Sequence, residues 1–402
     1  MDYHVHARKQ TPFVLDLMKK LYQGDGSNLV VSPYSLVSAL VILIPGAGGK
    51  TRFELLKTIL DREATDSSKA NELIQVFSYM LDSVCKANSD SLHVANMLYV
   101  QQNFELRPEY VSTLTNQFNA IGKQLDFAGS NAMALKTIND DVEKATKGLI
   151  KQLLSQIDKS TRIVLVNAIY FKGTWKNQFS KGQTNENGEF KKSNGSIVKA
   201  AMMFKKSKLP FFHDETKLKA KFVQLDYKSE GNISMVLVLP DEGNSLKQFI
   251  NSEWFETDHL HSVMDKMNSS IDVILTIPRF KISCTHYLVD HLKPLGINEV
   301  FGDNADLKGI TNCSEPMCVG DVIQKAVIEV NEEGTEAAAA TRIRCVLCCA
   351  SSNVYFDANR PFLYMLVANH GGSGCVGNFN RFKASARQVL FAGVVEDPNV
   401  SK

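Results

Sequence analysis

The sequence predicts one mixed α+β domain rich in β-structure. Three observations point there. Strand-like runs with alternating or continuous apolar residues recur along the whole chain. Amphipathic helical patterns fall mainly in the first half and strands in the second, which argues against the regular alternation of a doubly wound sheet. No linker, repeat or low-complexity tail divides the 402 residues, so 1–402 reads as a single unit.

Taken in order, Thr11 to Leu21 has the spacing of an amphipathic helix and Leu29–Val31 reads as a short strand. Ser32-Pro-Tyr-Ser35 opens a helix, with Ser32 suited to the N-cap and Pro33 to the first helical position. That helix is apolar nearly all round through Leu43, so it is expected to be buried. Further helices are predicted at Arg52–Leu60, Lys69–Val84, Pro108–Gln117, Ala132–Leu154, Ser245–Asn251, Thr257–Met267 and Leu288–Leu295. Strands are predicted at Leu92–Tyr99, Arg162–Phe171, Val198–Met203, Lys221–Tyr227, Ile233–Leu239, Ile271–Pro278, Val322–Val330, Phe362–Val367 and Val389–Val395.

Composition is that of an ordinary globular protein, with 44% hydrophobic and 22% charged residues. A net charge of +2 gives no argument for nucleic acid or an anionic membrane as partner. The first ten residues lack the apolar core of a secretory leader, and no apolar run approaches the length of a bilayer span. A cytoplasmic protein, or one released without a leader, is expected. The eight cysteines are scattered or bunched, which fits free thiols in a reducing compartment better than a disulfide framework.

Several chemical motifs fail on context. Gly46-Ala-Gly-Gly-Lys-Thr51 resembles a phosphate-binding loop, but Ile44 occupies the required first glycine and a helix precedes it instead of a strand. Gly372-Ser-Gly-Cys-Val-Gly377 lacks a following βαβ unit. Cys345-Val-Leu-Cys348 has no second ligand pair, and Cys313 and Cys318 are isolated. No nucleophile elbow occurs. The sequence therefore supplies no catalytic constellation, metal site or cofactor site, and none is expected.

The segment from Asn331 to Thr341 is different. Its four alanines favour helix. Read with period two, one face carries Thr335, Ala337, Ala339, Thr341, Ile343, Cys345 and Leu347, all small or apolar. The other carries Glu336, Ala338, Ala340, Arg342, Arg344 and Val346, and holds every charge. Such a segment can be an exposed loop in one state and a half-buried strand in another.

Asn331-Glu-Glu-Gly-Thr-Glu-Ala resembles the hinge of the reactive-centre loop in inhibitory serpins, the suicide inhibitors of serine proteases. Other motifs follow in the family's order: Asn28-Leu-Val-Val-Ser-Pro-Tyr-Ser-Leu36, Val94-Ala-Asn-Met-Leu-Tyr99, Val166-Asn-Ala-Ile-Tyr-Phe-Lys-Gly-Thr-Trp175, Ile277-Pro-Arg-Phe-Lys281, Leu295-Gly-Ile297, Asp306-Leu-Lys-Gly-Ile310 and Val389-Leu-Phe-Ala-Gly393. The absent leader, the hinge and the loop length resemble the intracellular, ovalbumin-like branch (clade B).

The resemblance implies a serpin fold, with a large central β-sheet, two smaller sheets, about eight to nine helices and an exposed reactive-centre loop at about 332–358. It implies a hinge comprising Glu332, Gly334, Thr335, Glu336, Ala337, Ala338, Ala339, Ala340 and Thr341. The scissile bond is implied after Cys348, before Cys349, with Leu347 and Arg344 as alternative bait residues. Ser32, Ser35, Asn167 and Gln324 are implied at the shutter where the sheet opens, with Gln324 replacing the family's usual histidine and removing a titratable group. Trp175 is implied at the breach where insertion starts, with Glu332 and Arg279 pairing across the loop base.

The implied partner is a serine protease held as a covalent acyl complex, elastase- or chymotrypsin-like given the small cysteine bait, and the inhibitor is expected to be a monomer. Inhibition of papain-like cysteine proteases and a non-inhibitory role as chaperone, storage or binding protein remain open alternatives. Two departures stand out. Asp141 occupies a position where the family commonly has tryptophan. The stretch 369–388, with Arg381, Lys383 and Arg387, is longer than usual and reads as a hairpin extension or a docking surface for an acidic partner.

Overall fold

The computed structural model describes residues 3–59, 74–75, 78–79, 82–229, 232–313, 315–333, 353–370 and 386–400. Helix α1 (Tyr3–Leu21) leads through β1 (Leu29–Val31) into α2 (Pro33–Val41). The Ser32 hydroxyl accepts from the Ser35 amide at 3.1 Å and Pro33 fills the first turn, so the local signals and the fold agree. Every residue of α2 is buried. Helix α3 (Gly49–Ile59) and a described helical stretch α4 (82–87) follow. The P-loop-like glycines pack on a neighbouring turn, where the Gly48 amide donates to the Asp306 carbonyl and the Asp306 amide donates to the Thr51 hydroxyl.

Five strands form one sheet: β2 (Leu92–Gln101), β3 (Ile121–Leu125), β4 (Ile163–Phe171), β10 (Phe280–Tyr287) and β11 (Val319–Val330). Their spatial order is β10-β11-β4-β2-β3. β10 with β11 and β4 with β2 pair antiparallel, whereas β11 with β4 and β2 with β3 run parallel. The alternation of β4 sorts its side chains between two cores. Ile163, Leu165, Ile169 and Phe171 join the main cluster with α1 and α2, while Val164, Val166, Ala168 and Tyr170 lie under α6 (Asn131–Ala145) with Ala134, Ile138 and Val142. Helix α5 (Pro108–Phe118) precedes β3.

The remaining strands are β5 (Asn185–Lys191), β6 (Ile197–Asp214), β7 (Ala220–Asp226), β8 (Ile233–Pro240), β9 (Asn268–Pro278), β12 (Val354–Asp357), β13 (Phe362–His370) and β14 (Ala386–Val395). With β1 they follow the path β1-β14-β13-β8-β7-β6-β9-β12, and β5 pairs with β6. The two smaller sheets implied by resemblance are thus continuous through the long strands β6 and β9. The helices α7 (Leu246–Ile250), α8 (Thr257–Lys266) and α9 (Val289–Leu292), with single 3-10 turns at Ile44–Gly46, Lys181–Gln183, Lys293–Leu295 and Glu299–Phe301, complete the described elements.

The structure corrects several boundaries. The predicted helix Ala132–Leu154 ends at Ala145, because Thr146 leaves helical geometry and Lys147 and Gly148 both have positive φ. β6 extends to Asp214, not Met203, and a register shift between Leu209 and Phe211 accommodates Pro210, which lacks an amide donor. β3, β5, β10 and β12 were not predicted. Most of the expected helix Lys69–Val84 lies outside the described residues.

Candidate functional site

The centre of the five-stranded sheet is its parallel junction, where β11 and β4 pair from Val319↔Ile163 to Ile328↔Phe171. At mid-height Gln324 faces Asn167, which in turn faces Asn96 on β2. All three side chains are buried, and they bond to one another instead of to water. Gln324 Nε2 donates to Asn167 Oδ1 at 2.6 Å and to the Ser32 carbonyl at 2.9 Å, while its Oε1 accepts from the Ser32 amide at 2.8 Å. Asn167 Nδ2 donates to Ser35 Oγ at 2.5 Å and to Asn96 Oδ1 at 2.7 Å. Asn96 Nδ2 donates to Ser38 Oγ at 2.9 Å, and Ser38 Oγ donates to the Ser35 carbonyl at 2.6 Å. Ser32 Oγ donates to the Leu390 carbonyl at 2.5 Å, tying in β14. A fully paired polar network in a dry core is directional, so it fixes how β4 and β11 sit over α2.

One strand outward, His286 on β10 stands opposite Gln324. Its Nε2 lies 2.8 Å from the Val30 carbonyl, just ahead of Ser32. Burial pushes its pKa below the ordinary histidine value, against the Val30 hydrogen bond and with help from His291.

The second part of the site lies where β11 ends. Trp175 is buried and its Nε1 donates to the Asn331 carbonyl at 2.8 Å. The indole stacks on Tyr227 with centroids 4.1 Å apart and meets Phe179 edge-on at 6.0 Å. The Phe179 amide donates to the Glu332 carbonyl at 3.0 Å. The buried Glu332 carboxylate accepts from Thr184 Oγ1 at 2.8 Å and from Arg279 at 3.4 Å, while Arg279 also reaches Glu186 at 2.7 Å. Glu333 pairs with Lys181. Gly173 allows the crowding here, since a Cβ would stand 2.6 Å from the Phe171 and Tyr227 rings. The Tyr227 hydroxyl is buried with no hydrogen-bond partner among the described residues. On the next turn of the ladder, Glu329 joins Lys172, Lys281 and Tyr170. Burial works to raise its pKa, but the two lysines hold it below the usual carboxylate range.

The structure therefore brings Ser32, Ser35, Asn167 and Gln324 into one network, and sets Trp175, Glu332 and Arg279 together at the loop base. Sequence reasoning missed Asn96, Ser38 and His286. Gly334, Thr335, Glu336, Ala337, Ala338, Ala339, Ala340, Thr341, Arg344, Leu347, Cys348 and Cys349 lie outside the described residues. Of the expected loop at 332–358, its start is anchored as above, and 354–357 form β12, parallel to β9. Asp141 has a clear role, bonding Lys123 of β3 at 2.6 Å and accepting from the Tyr99 hydroxyl of β2 at 3.0 Å. Within 369–388, Arg381 and Lys383 lie outside the described residues. Arg387 is engaged with Asp265 of α8 at 2.7 Å and with the Met264 carbonyl, and both ends of the stretch pair in the β13–β14 ladder.

Among the described residues no group of three or more His, Cys, Asp or Glu could hold a metal, and no helix is long and apolar enough to cross a membrane. A family model described as Serpin (serine protease inhibitor) matches residues 8–378. The chain is 34% identical to Iris of Ixodes ricinus over 361 residues, covering 88% of this chain and 93% of that protein. It is 32% identical to the human leukocyte elastase inhibitor over 384 residues, covering 93% and 98%. The structure of Arabidopsis AtSerpin1 in its native stressed conformation superimposes with a TM-score of 0.81 at 27% identity, covering 99% of each chain.

Proposed function

The chain belongs to the serpin (serine protease inhibitor) family, and on that premise we propose that it traps serine endopeptidases as a suicide substrate. The observation that carries this reading is the parallel β11–β4 junction beside the loop base. A segment leaving the end of β11 and folding back between the two strands would run antiparallel to both. It would replace the sheet's central parallel pairing with two antiparallel ladders, which are slightly more stable per residue. The period-two pattern from Thr335 to Leu347 supplies a small or apolar face for such a strand.

In the proposed reaction the protease serine attacks the Cys348 carbonyl carbon, and the Cys349 amine leaves. The acyl-enzyme ester tethers the protease to Cys348. The freed segment enters the sheet from Thr335 onward and carries the protease with it before water can hydrolyse the ester. The cysteine bait fits a small or weakly apolar pocket, as in elastase- or chymotrypsin-like enzymes, and a relative bears the name leukocyte elastase inhibitor. Leu347 is the neighbouring alternative. Cleavage at Arg344 would shorten the inserted strand by four residues, roughly 13 Å of reach, and favour release over trapping. Cys85, Cys284, Cys313 and Cys318 form no disulfide among the described residues, which fits a reducing compartment.

Incubation with a panel of elastase-, chymotrypsin-, trypsin- and papain-like proteases tests the proposal. An SDS-stable complex with the first two classes, and a released peptide beginning at Cys349, are expected. Loop cleavage with no complex for any protease would reject inhibition. A complex with papain-like enzymes alone would move the target class.

A further inference from the structure

We propose, on the strength of the inhibitory reading above, that the exposed sheet face carrying Tyr355, Ile274 and Lys206 docks the attacking protease beside its active site and sets how fast that protease is captured. Chain length is the first argument. The loop is held at two places, where Glu332 and Glu333 leave the end of β11 and where β12 begins at Val354. Fifteen residue steps separate Glu333 from Cys348, but only seven separate Cys348 from Tyr355. Seven steps reach at most about 25 Å. A protease domain of about 230 residues is roughly 45 Å across. A protease seated on the Cys348–Cys349 bond is therefore tied closely to β12 and its neighbours, and only loosely to the end of β11.

The composition of the face is the second argument. Tyr355 stands opposite Ile274 of β9, and Ile274 stands opposite Lys206 of β6, so the three side chains form one row on one side of the sheet. On the other side Val273, Leu275 and Phe356 are buried in the core. Tyr355 is 60% exposed, an unusual state for a large ring. Its backbone is nonetheless fixed, because Lys221 Nζ donates to the Tyr355 carbonyl at 3.1 Å. Ile274 and Phe204 are half-buried on the same face. Lys208 stands opposite Asp272, whereas the exposed Lys206 faces only Ile274 and has no ion pair among the described residues. An aromatic anchor on a fixed backbone beside a lone cation is what a docking patch needs. It fits a protease surface with an apolar spot and carboxylates on the leaving-group side of the cleft. Cleavage also dictates when the face acts. The protease stays on Cys348, while 349–353 stay with β12, so these contacts operate before acylation and are absent from the trapped complex.

The test mixes wild type, Tyr355→Ala and Lys206→Glu with excess protease that cuts after Cys348. Loss of intact loop is followed on gels, counting trapped complex and cleaved inhibitor together, so the rate is read whether the acyl-enzyme is trapped or released. Each variant is expected to lower the second-order rate at least about fivefold. The Lys206→Glu effect is expected to shrink in about 0.5 M salt, and the Tyr355→Ala effect to persist. Both side chains are exposed, so both variants are expected to melt with the wild type. The share of cut loops that ends as complex is expected to stay at the wild-type value. An unchanged rate in either variant overturns the proposal. So does a changed share at an unchanged rate, which places the residue in insertion, and so does cleavage only at another bond. Wild-type loops that are cut without trapping, with both rate effects intact, would sink the inhibitory reading and leave the docking face standing.

Discussion

Gln324 is the residue on which the strand junction turns, because from β11 it bonds both to Ser32, the cap of α2, and to Asn167 of β4. Replacing it with leucine leaves the Ser32 amide and Asn167 Oδ1 buried without partners, since the Ser32 carbonyl still accepts from Leu36. Two such orphans cost about 2–4 kcal/mol. Gln324→Leu is therefore expected to lower the denaturant midpoint without changing the m-value, as read from urea unfolding. Substituting glutamine for the family's histidine does not remove titration from this region, because His286 stands one strand away. Its folded pKa lies below the unfolded value near 6.5. Protons then bind the unfolded chain more readily between those two values. The stability associated with neutral His286 is fully present above about pH 6.5, falls as pH drops toward the lowered value, and levels below it. Unfolding curves of wild type and His286→Gln from pH 7.5 to 5 are expected to diverge only in that window. Parallel curves would contradict this role. The missed members of the site were legible in principle. Asn96 shares a strand face with Leu92, Leu98 and Val100, and a polar group at a core position requires a partner. Ser38 similarly interrupts the apolar helix α2. Only the fold brings the two within hydrogen-bonding distance.

At the scale of elements, β10 carried a readable signal, since Phe280, Ile282 and Cys284 alternate inward. β3 and β5 did not. Their residues are mostly exposed or half-buried, so pairing, not apolar periodicity, makes them strands. β12 is only four residues long and was hidden within the expected loop. The end of α6 is not marked in the sequence, because apolar residues continue at helical spacing through Leu149, Ile150, Leu153 and Leu154, whereas in the structure Leu149 is exposed and the other three pack from an irregular segment. That segment is itself pinned to the sheet, with Lys325 of β11 donating to the Gln152 carbonyl at 2.6 Å. Helix α6 and this segment cover one face of the strands that would have to part. Asp141 anchors the helix through Lys123 and Tyr99 where tryptophan is usual in the family. Asp141→Ala is expected to destabilise the protein by about 1–2 kcal/mol and to speed amide exchange in α6 more than in β4. Equal acceleration in both would indicate a global effect, not a local anchor.

At the scale of the molecule, the β11–β4 junction is closed along nearly its whole length, and the loop base is held outside it by Trp175, Phe179, Thr184 and Arg279. The proposed strand insertion rests on three features: an anchored departure point, a parallel pair at the sheet centre and a segment whose sequence alternates as a half-buried strand would. The fold class was legible because motifs spread over the chain share one order, and because strand and helix periodicities are separable. The proposed bait rests only on its position in the sequence relative to the hinge glycine and Pro361, and it lies outside the described residues. The central claim, that the freed loop segment enters between β4 and β11, is tested most directly by thermal unfolding of the intact and loop-cleaved protein. Insertion adds two ladders of hydrogen bonds and a packed face, so the cleaved form is predicted to melt at least about 10 °C higher, and Thr335→Arg is predicted to abolish that rise. A cleaved wild-type protein that melts at or below the temperature of the intact one would contradict it.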